Sequence, residues 1–459
     1  MKAVDMRTAC VFATVFALML LTVNVVYVTG YTAPMIELSR NFCRGVMYLE
    51  RVEWFYTDVI KVGNRYAFAG PIGIPLFLSP IACLLDSTRA MLLAGGALMS
   101  FSVLMSMVFS YLVLKELFPS QYAYRATSIV TTVLCSLPWI YSSHLFPQAV
   151  LTMCYSALLY LSAKLVLSED VSLNTVMLHA VISSIAFLAD PSSVALVVTV
   201  ATIVLIDKRS LLKRRKGMLA ISVASWMSIF ILVSLPQFYY NYATTGDPLL
   251  FPELIYSQLR GLGTGFDVLR IPVGMVIQLL DLRKSLLSLY PLSFISLLYT
   301  PYALRYIKKR SLAVLYVSMI FVPIAVYSSW HDFHGGLSFG PRFLTPVAQL
   351  LSLSLFLLLN LRGRVSRIVL PIGMYSAFVN SIVLISTPYP CAIQHLDALE
   401  NQFYECSLKS FLSGTRSALI AELISRVPSI EALASNIISA GLVFGIATSV
   451  ILLSYIKKI

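Results

Sequence analysis

Apolar residues in this chain come in long blocks, not in the alternation of a half-buried strand. Runs of close to a membrane's width recur at about 8–30, 88–114, 124–143, 147–166, 173–189, 191–206, 217–235, 287–304, 311–328, 342–361, 368–387 and 435–455. A bilayer core of about 30 Å needs about 20 such residues in helix, so each run predicts a transmembrane span. The pattern predicts an all-α polytopic membrane protein of about twelve helices. Tyr31–Gly70 breaks it with a polar stretch. Within it, Pro34–Tyr48 has the spacing of an amphipathic helix lying on the membrane. Trp54–Ile60 and Arg65–Phe68 flank Lys61-Val62-Gly63-Asn64, which predicts a short hairpin. Pro71–Leu85 is apolar but short for a span and carries Pro71, Gly73, Pro75 and Pro80, so it is expected to dip into the interface without crossing.

Charge tests that choice. With Pro71–Leu85 left uncrossed, 20 of the 34 Lys and Arg and 5 of the 21 Asp and Glu fall on the side of both termini, leaving −2 on the other side of a chain of net +13. A crossing would put the basic cluster Lys208–Lys216 outside, against the cytoplasmic excess of Lys and Arg. Both termini are therefore expected in the cytoplasm of a plasma-membrane protein. With 58% hydrophobic and 12% charged residues, the basic balance points to membrane lipids and not to nucleic acid. Ala9–Val28 is longer than a signal-peptide core and is expected to stay as an anchor. Two units are expected: 1–360, with a first outer loop at 31–86, and 361–459, a helix pair with an outer loop at 388–434. The seven cysteines form no CxxC metal pair; Cys10, Cys135 and Cys154 fall in spans, whereas Cys391 and Cys406 share an outer loop and are expected to pair.

Every long polar segment lies on the outer side under this topology: 31–86, 236–286, 329–341 and 388–434. The densest is Trp330-His331-Asp332-Phe333-His334-Gly335-Gly336-Leu337-Ser338-Phe339-Gly340-Pro341-Arg342. Its glycines let backbone approach a ligand closely, and Pro341 suits the first turn of a helix with Arg342 at its mouth. Lys284, Arg65 and Arg342 are candidates to hold a phosphate, and outer carboxylates to act as a general base. His331, Asp332, His334, Gly335 and Gly336, with Tyr240 and Asn241, are candidates for a substrate loop. Each has a plainer reading: Arg342 as a snorkelling residue, Lys284 as an interfacial anchor, Tyr240 as part of an aromatic belt, Asp190 before Pro191 as a turn residue. His331, Asp332 and His334 have metal-ligand chemistry, but no regular element is predicted to align them; no cofactor is fixed, and a divalent metal stays open.

Several of these segments resemble the multi-spanning glycosyltransferases of the C-type superfold (GT-C), on the branch of protein O-mannosyltransferases and aminoarabinose transferases. Gly335-Gly336-Leu337-Ser338-Phe339-Gly340-Pro341-Arg342-Phe343-Leu344 carries most of the likeness. Asn241-Tyr242…Gly246-Asp247-Pro248-Leu249 and Asn64-Arg65-Tyr66…Pro71-Ile72-Gly73 add weaker matches, so that the likeness covers about residues 1–360. The resemblance implies a polyprenyl-phosphate sugar donor, a lipid, glycan or protein acceptor, and transfer at the outer membrane face. Relatives place an aspartate just after the first span as the base. That position is Tyr31-Thr32 here, and Glu37 and then Asp58 are the next carboxylates to consider. Alternatives are a transporter or flippase of lipid-linked saccharide, which needs buried charge near the membrane midplane, and a catalytically inert protein with the same fold.

Overall fold

In the computed structural model, residues 5–26, 28–53, 56–121, 124–209, 216–333, 335, 338–361, 366–386, 401–427 and 430–455 are described. The chain is a multi-pass bundle of apolar helices. Among the described residues, six helices are long and apolar enough to cross a membrane: Thr88–Leu117, Gln148–Leu167, Ala220–Thr245, Arg310–Ser329, Arg367–Ser386 and Ala432–Tyr455. A seventh results if Arg342–Leu350 and Ser352–Asn360, bent by 40°, form one broken span. The remaining apolar runs fold as shorter or interrupted helices.

The interruptions follow local chemistry. The first helix ends at Leu21, short of the expected 30. Beyond it the backbone turns extended and finds partners inside the protein: Asn24 N donates to Ser143 O (2.9 Å), and Leu419 N to Val23 O (2.9 Å). Non-helical backbone at this depth is tolerated because protein satisfies it. The run at 124–143 breaks into Arg125–Leu134 and Leu137–Ser142, where Pro138 starts a new helix. Fully buried Trp139 ties that short helix to the first one, its Nε1 donating to Thr22 Oγ1 at 3.2 Å.

The polar stretch after the first helix folds over one end of the bundle. A helix does form here, but over Thr32–Cys43, and most of it is buried against the protein instead of lying on the membrane surface. The hairpin is tighter than expected: β1 (Val59–Val62) pairs antiparallel with β2 (Arg65–Phe68), so Lys61 and Val62 belong to the strand and only Gly63-Asn64 turn, with Gly63 at φ +59°. Trp54 lies outside the described residues. Gly73–Ala82 has ten residues, about 15 Å of helix and half a bilayer core. A disulfide, Cys43–Cys83, with Cα atoms 5.5 Å apart, ties it to Thr32–Cys43. No sequence pattern announced that pair. Cys406 is also disulfide-bonded, and Cys391 lies outside the described residues.

At the opposite end of the bundle, Asp207 accepts from Lys309 Nζ (2.9 Å) and Ser311 Oγ (2.6 Å), and Lys309 also donates to Val166 O (2.6 Å). That knot pins the ends of three helices and leaves the polar work to the hairpin end.

Candidate active site

At the hairpin end, the Arg310–Ser329 helix runs into the turn His331-Asp332-Phe333, and the chain returns through Ser338–Pro341. Arg342 does not open an α-helix as expected. It sits in a 3-10 turn, Arg342–Leu344, and the regular helix starts at Thr345. Its guanidinium packs on three rings, Phe343 (4.7 Å), Tyr31 (5.7 Å) and Phe146 (5.7 Å), the last two stacked on each other at 5.3 Å. Asp332 Oδ2 lies 3.9 Å from its Nη2. Gly335 has φ +79°, and a Cβ there would meet Arg342 Cγ at 2.9 Å, so glycine both makes the turn and admits the arginine stem.

Four carboxylates converge on this arginine from separate elements. Asp332 comes from its own loop. Asp190 caps the Pro191–Ser193 turn, accepting from Ser192 N (2.9 Å) and Oγ (2.7 Å) and from the Tyr327 hydroxyl (2.8 Å). Tyr327 in turn stacks on Phe343 at 4.8 Å. Asp58 precedes β1 with a left-handed φ of +55°, uncommon for a residue with a side chain. Ala69 N holds its carbonyl at 2.7 Å across the hairpin base. Glu253 stands in the first turn of Pro252–Leu259, a helix packed on the hairpin.

Burial pushes the Asp58 carboxyl up; the charge of Arg342 and then the Tyr256 phenol pull it back, and Asp332 pushes it up again. Burial likewise raises Asp190, against the bonds from Ser192 and Tyr327. Glu253 is pushed up to about 8, by burial first and then by Asp190 and Asp58. Lys284 is pulled down to about 7 by burial, with Asp332 opposing and Arg342 adding to the drop. Asp58, Asp190, Glu253 and Asp332 thus feel the charge of Arg342 in a partly dry site, and Lys284 feels Asp332 and Arg342. Strong shifts with specific charge partners in a cleft mark functional sites.

Not every predicted residue joins it. Glu37 accepts from the Tyr56 hydroxyl at 2.5 Å. Arg65 donates to Ala243 O (2.6 Å) and lies over Tyr48 (4.9 Å), fastening the hairpin to the neighbouring span. The Tyr240 hydroxyl is consumed by the Phe68 backbone, accepting from its N (2.8 Å) and donating to its O (2.9 Å). Asn241 bonds Pro248 O (3.0 Å) and Gln237 (2.9 Å). These contacts fasten neighbouring segments together. His331 packs on Trp330 at 4.2 Å, its backbone N bound to Gly265 O (2.7 Å). His334 and Gly336 lie outside the described residues. Glu253 was not anticipated from sequence; its one local signal was an acid directly after a helix-opening proline. Among the described residues, no three His, Cys, Asp or Glu are placed to hold a metal ion.

Beside the hairpin, Phe42, Met47, Ile72, Leu76, Leu232, Leu235, Pro236 and Tyr239 line an apolar groove of about 400 Å³.

No known family profile and no curated protein matches this sequence. Solved structures do match in shape. ArnT from Cupriavidus metallidurans, crystallised with undecaprenyl phosphate, superposes with a TM-score of 0.56 at 14% identity, over 98% of this chain and 77% of ArnT. The chain has the C-type glycosyltransferase fold. Arabinosyltransferase EmbB from Mycobacterium smegmatis matches at TM-score 0.51 and 11% identity, over 99% of this chain and 41% of EmbB. At these identities the likeness speaks for the C-type fold, and the site must speak for the chemistry.

Proposed function

We propose that the protein is a membrane glycosyltransferase that moves a sugar from a polyprenyl-phosphate donor to an acceptor hydroxyl at the outer membrane face. The observation that carries this is the gathering of Asp58, Asp190, Glu253 and Asp332 about Arg342, with Lys284 next to Asp332 and Arg342; the same end of the protein also carries an apolar groove. The groove takes the prenyl chain. Arg342 and Lys284 hold the phosphodiester, where charge builds as the bond breaks. The Asp58 carboxylate takes the acceptor proton as the acceptor oxygen bonds the anomeric carbon, and the carbon–phosphate oxygen bond breaks with its electron pair leaving on polyprenyl phosphate. Attack from the face opposite the leaving group inverts the anomeric centre. Asp58 supplies the carboxylate that the resemblance places at Tyr31-Thr32, which argues against the inert alternative.

Disulfides support the orientation. Cys43–Cys83 and Cys406 belong to the hairpin end, and paired cysteines form on the oxidising side of a membrane. The free Cys10, Cys135 and Cys154 lie in the bundle. The hairpin end therefore faces outward and both termini inward. The test is a radiolabelled polyprenyl-phosphate sugar incubated with purified protein and extracted membrane acceptors. Transfer by the native protein, and transfer slowed about 10²–10⁴-fold by Asp58→Asn, is expected; no transfer from any such donor would remove the reading.

A further inference from the structure

Arg342 and Lys284 reach the site from segments that are distant in sequence and irregular in structure. Lys284 lies in the turn between the Ile271–Leu280 helix and Ser285; Arg342 follows the Ser338–Pro341 loop. Gln402 of the last outer loop bonds both segments, and its neighbour Asn401 adds a second bond to the one that holds Lys284.

Gln402 is 1% exposed and bonds through both the oxygen and the nitrogen of its amide. Its Oε1 accepts from Gly340 N (2.9 Å), and its Nε2 donates to Ser338 O (3.0 Å). Its backbone N donates to Arg283 O (2.9 Å), and Asn401 Nδ2 donates to Leu282 O (2.8 Å). One grip ends two residues before Arg342, the other one residue before Lys284. The gripping residues are themselves anchored. Asn401 Oδ1 accepts from Phe403 N (3.0 Å), opening the π-helix Phe403–Leu408. That helix holds disulfide-bonded Cys406 and is bound to the Ser366–Ser386 span through Ser386 Oγ and Ser407 O (3.1 Å). Single π-turns inside a chain recur at functional sites.

We propose that Gln402 is a positioning residue of the donor site: it sets the spacing between Arg342 and Lys284, so that the C-terminal outer loop completes the phosphate pocket. The inference rests on the reading of those two cations as the phosphate-holding pair. The C-terminal part of the chain is then part of the catalytic unit and not an appended helix pair. Glutamine suits the task because it presents one acceptor and two donors at a fixed separation. Asparagine is a methylene short. Glutamate keeps the bond from Gly340 N but turns a second oxygen against the Ser338 carbonyl.

The test measures donor Kd, acceptor KM, kcat and melting temperature on the full-length protein, with a polyprenyl-phosphate sugar as probe. Gln402→Ala is expected to raise donor Kd about tenfold with acceptor KM unchanged, and Gln402→Glu, nearly isosteric, to raise it while the protein still folds. In an Arg342→Ala background, the Gln402→Ala effect on donor Kd is expected to vanish, because residues acting as one unit do not add. Wild-type donor affinity in folded Gln402→Glu and Gln402→Ala would overturn the inference. So would full additivity with an Arg342→Ala change that itself weakens binding. Arg342→Ala leaving donor affinity intact would overturn the phosphate reading and this inference with it, a separate result from additivity.

Discussion

Donor affinity should fall steeply on the alkaline side of neutrality, and Lys284 sets where. In the free protein burial brings this lysine down to about 7. A bound phosphodiester favours the ammonium, so the complex holds a proton that the free protein loses as pH rises. The sign is fixed: binding is strongest below the free-state value and weakens above it. With the complex protonated throughout, apparent Kd rises roughly 25-fold between about pH 6.5 and 8.5. Glu253, at about 8, adds to the same trend, since it gains a negative charge beside the phosphate at the top of that window. Equilibrium binding of the sugar phosphodiester is the right assay, because free polyprenyl phosphate itself titrates near about 6. Lys284→Arg, charged at all these values, should flatten the first part of the curve and leave a small step near 8. Glu253→Gln should remove that step and leave the first. A wild-type Kd constant within twofold across the window would refute the assignment of Lys284 to the phosphate.

Four further outcomes are expected. Asp58→Asn should cost about 10²–10⁴ in turnover, the usual share of a general base, with donor Kd within twofold; a loss of binding in step with rate would move Asp58 from base to binding group. Arg342→Ala should weaken donor binding roughly ten- to a hundredfold, the worth of a charge-assisted bond of about 1.5–3 kcal/mol, and Arg342→Lys should restore only part, lacking the planar fork. Replacing Cys43 and Cys83 together by alanine should lower stability by about 3–4 kcal/mol on the loop-closure view, read as a fall in melting temperature under oxidising conditions; an unchanged transition would show that the interfacial helices need no clamp. A cysteine at position 61 should react with an impermeant reagent in intact cells and one at 308 should not, and the reverse pattern would invert the topology.

The legible parts of the fold were those with a long period. Apolar blocks of membrane width announced a helical bundle, and proline-rich Pro71–Leu85 announced a helix too short to cross, which folds as Gly73–Ala82. The interruptions were hidden. Hydropathy does not separate a straight span from Arg125–Leu134 followed by Leu137–Ser142, because the break is repaired by a partner far along the chain, Asn380, which bonds the Leu134 and Ser136 carbonyls. Arg342 and Asp332 were visible as a local cluster in a charge-poor sequence. Asp190 stood out only as an outer acid with a plainer reading as a turn residue, and Glu253 did not stand out at all, since each looks like an ordinary turn or helix-opening acid until the fold brings it to the arginine.

The residues that joined the fastenings explain why site prediction from sequence overreaches. Asn241 and Arg65 sit in the segments that carry the family resemblance, and Tyr240 directly before one of them, yet all three bond backbone, of Pro248, Ala243 and Phe68. A motif therefore mixes two needs: groups that meet substrate, and groups that hold the loops presenting them. Gln402 extends the second class beyond any motif, because its partners lie more than sixty positions upstream, a separation of 62 to Gly340 and 64 to Ser338. Buried backbone polar groups must be satisfied whichever residue supplies the partner. A loop as polar as Ser338–Arg342 could thus be expected to have a distant amide against it, but only the fold could say which one.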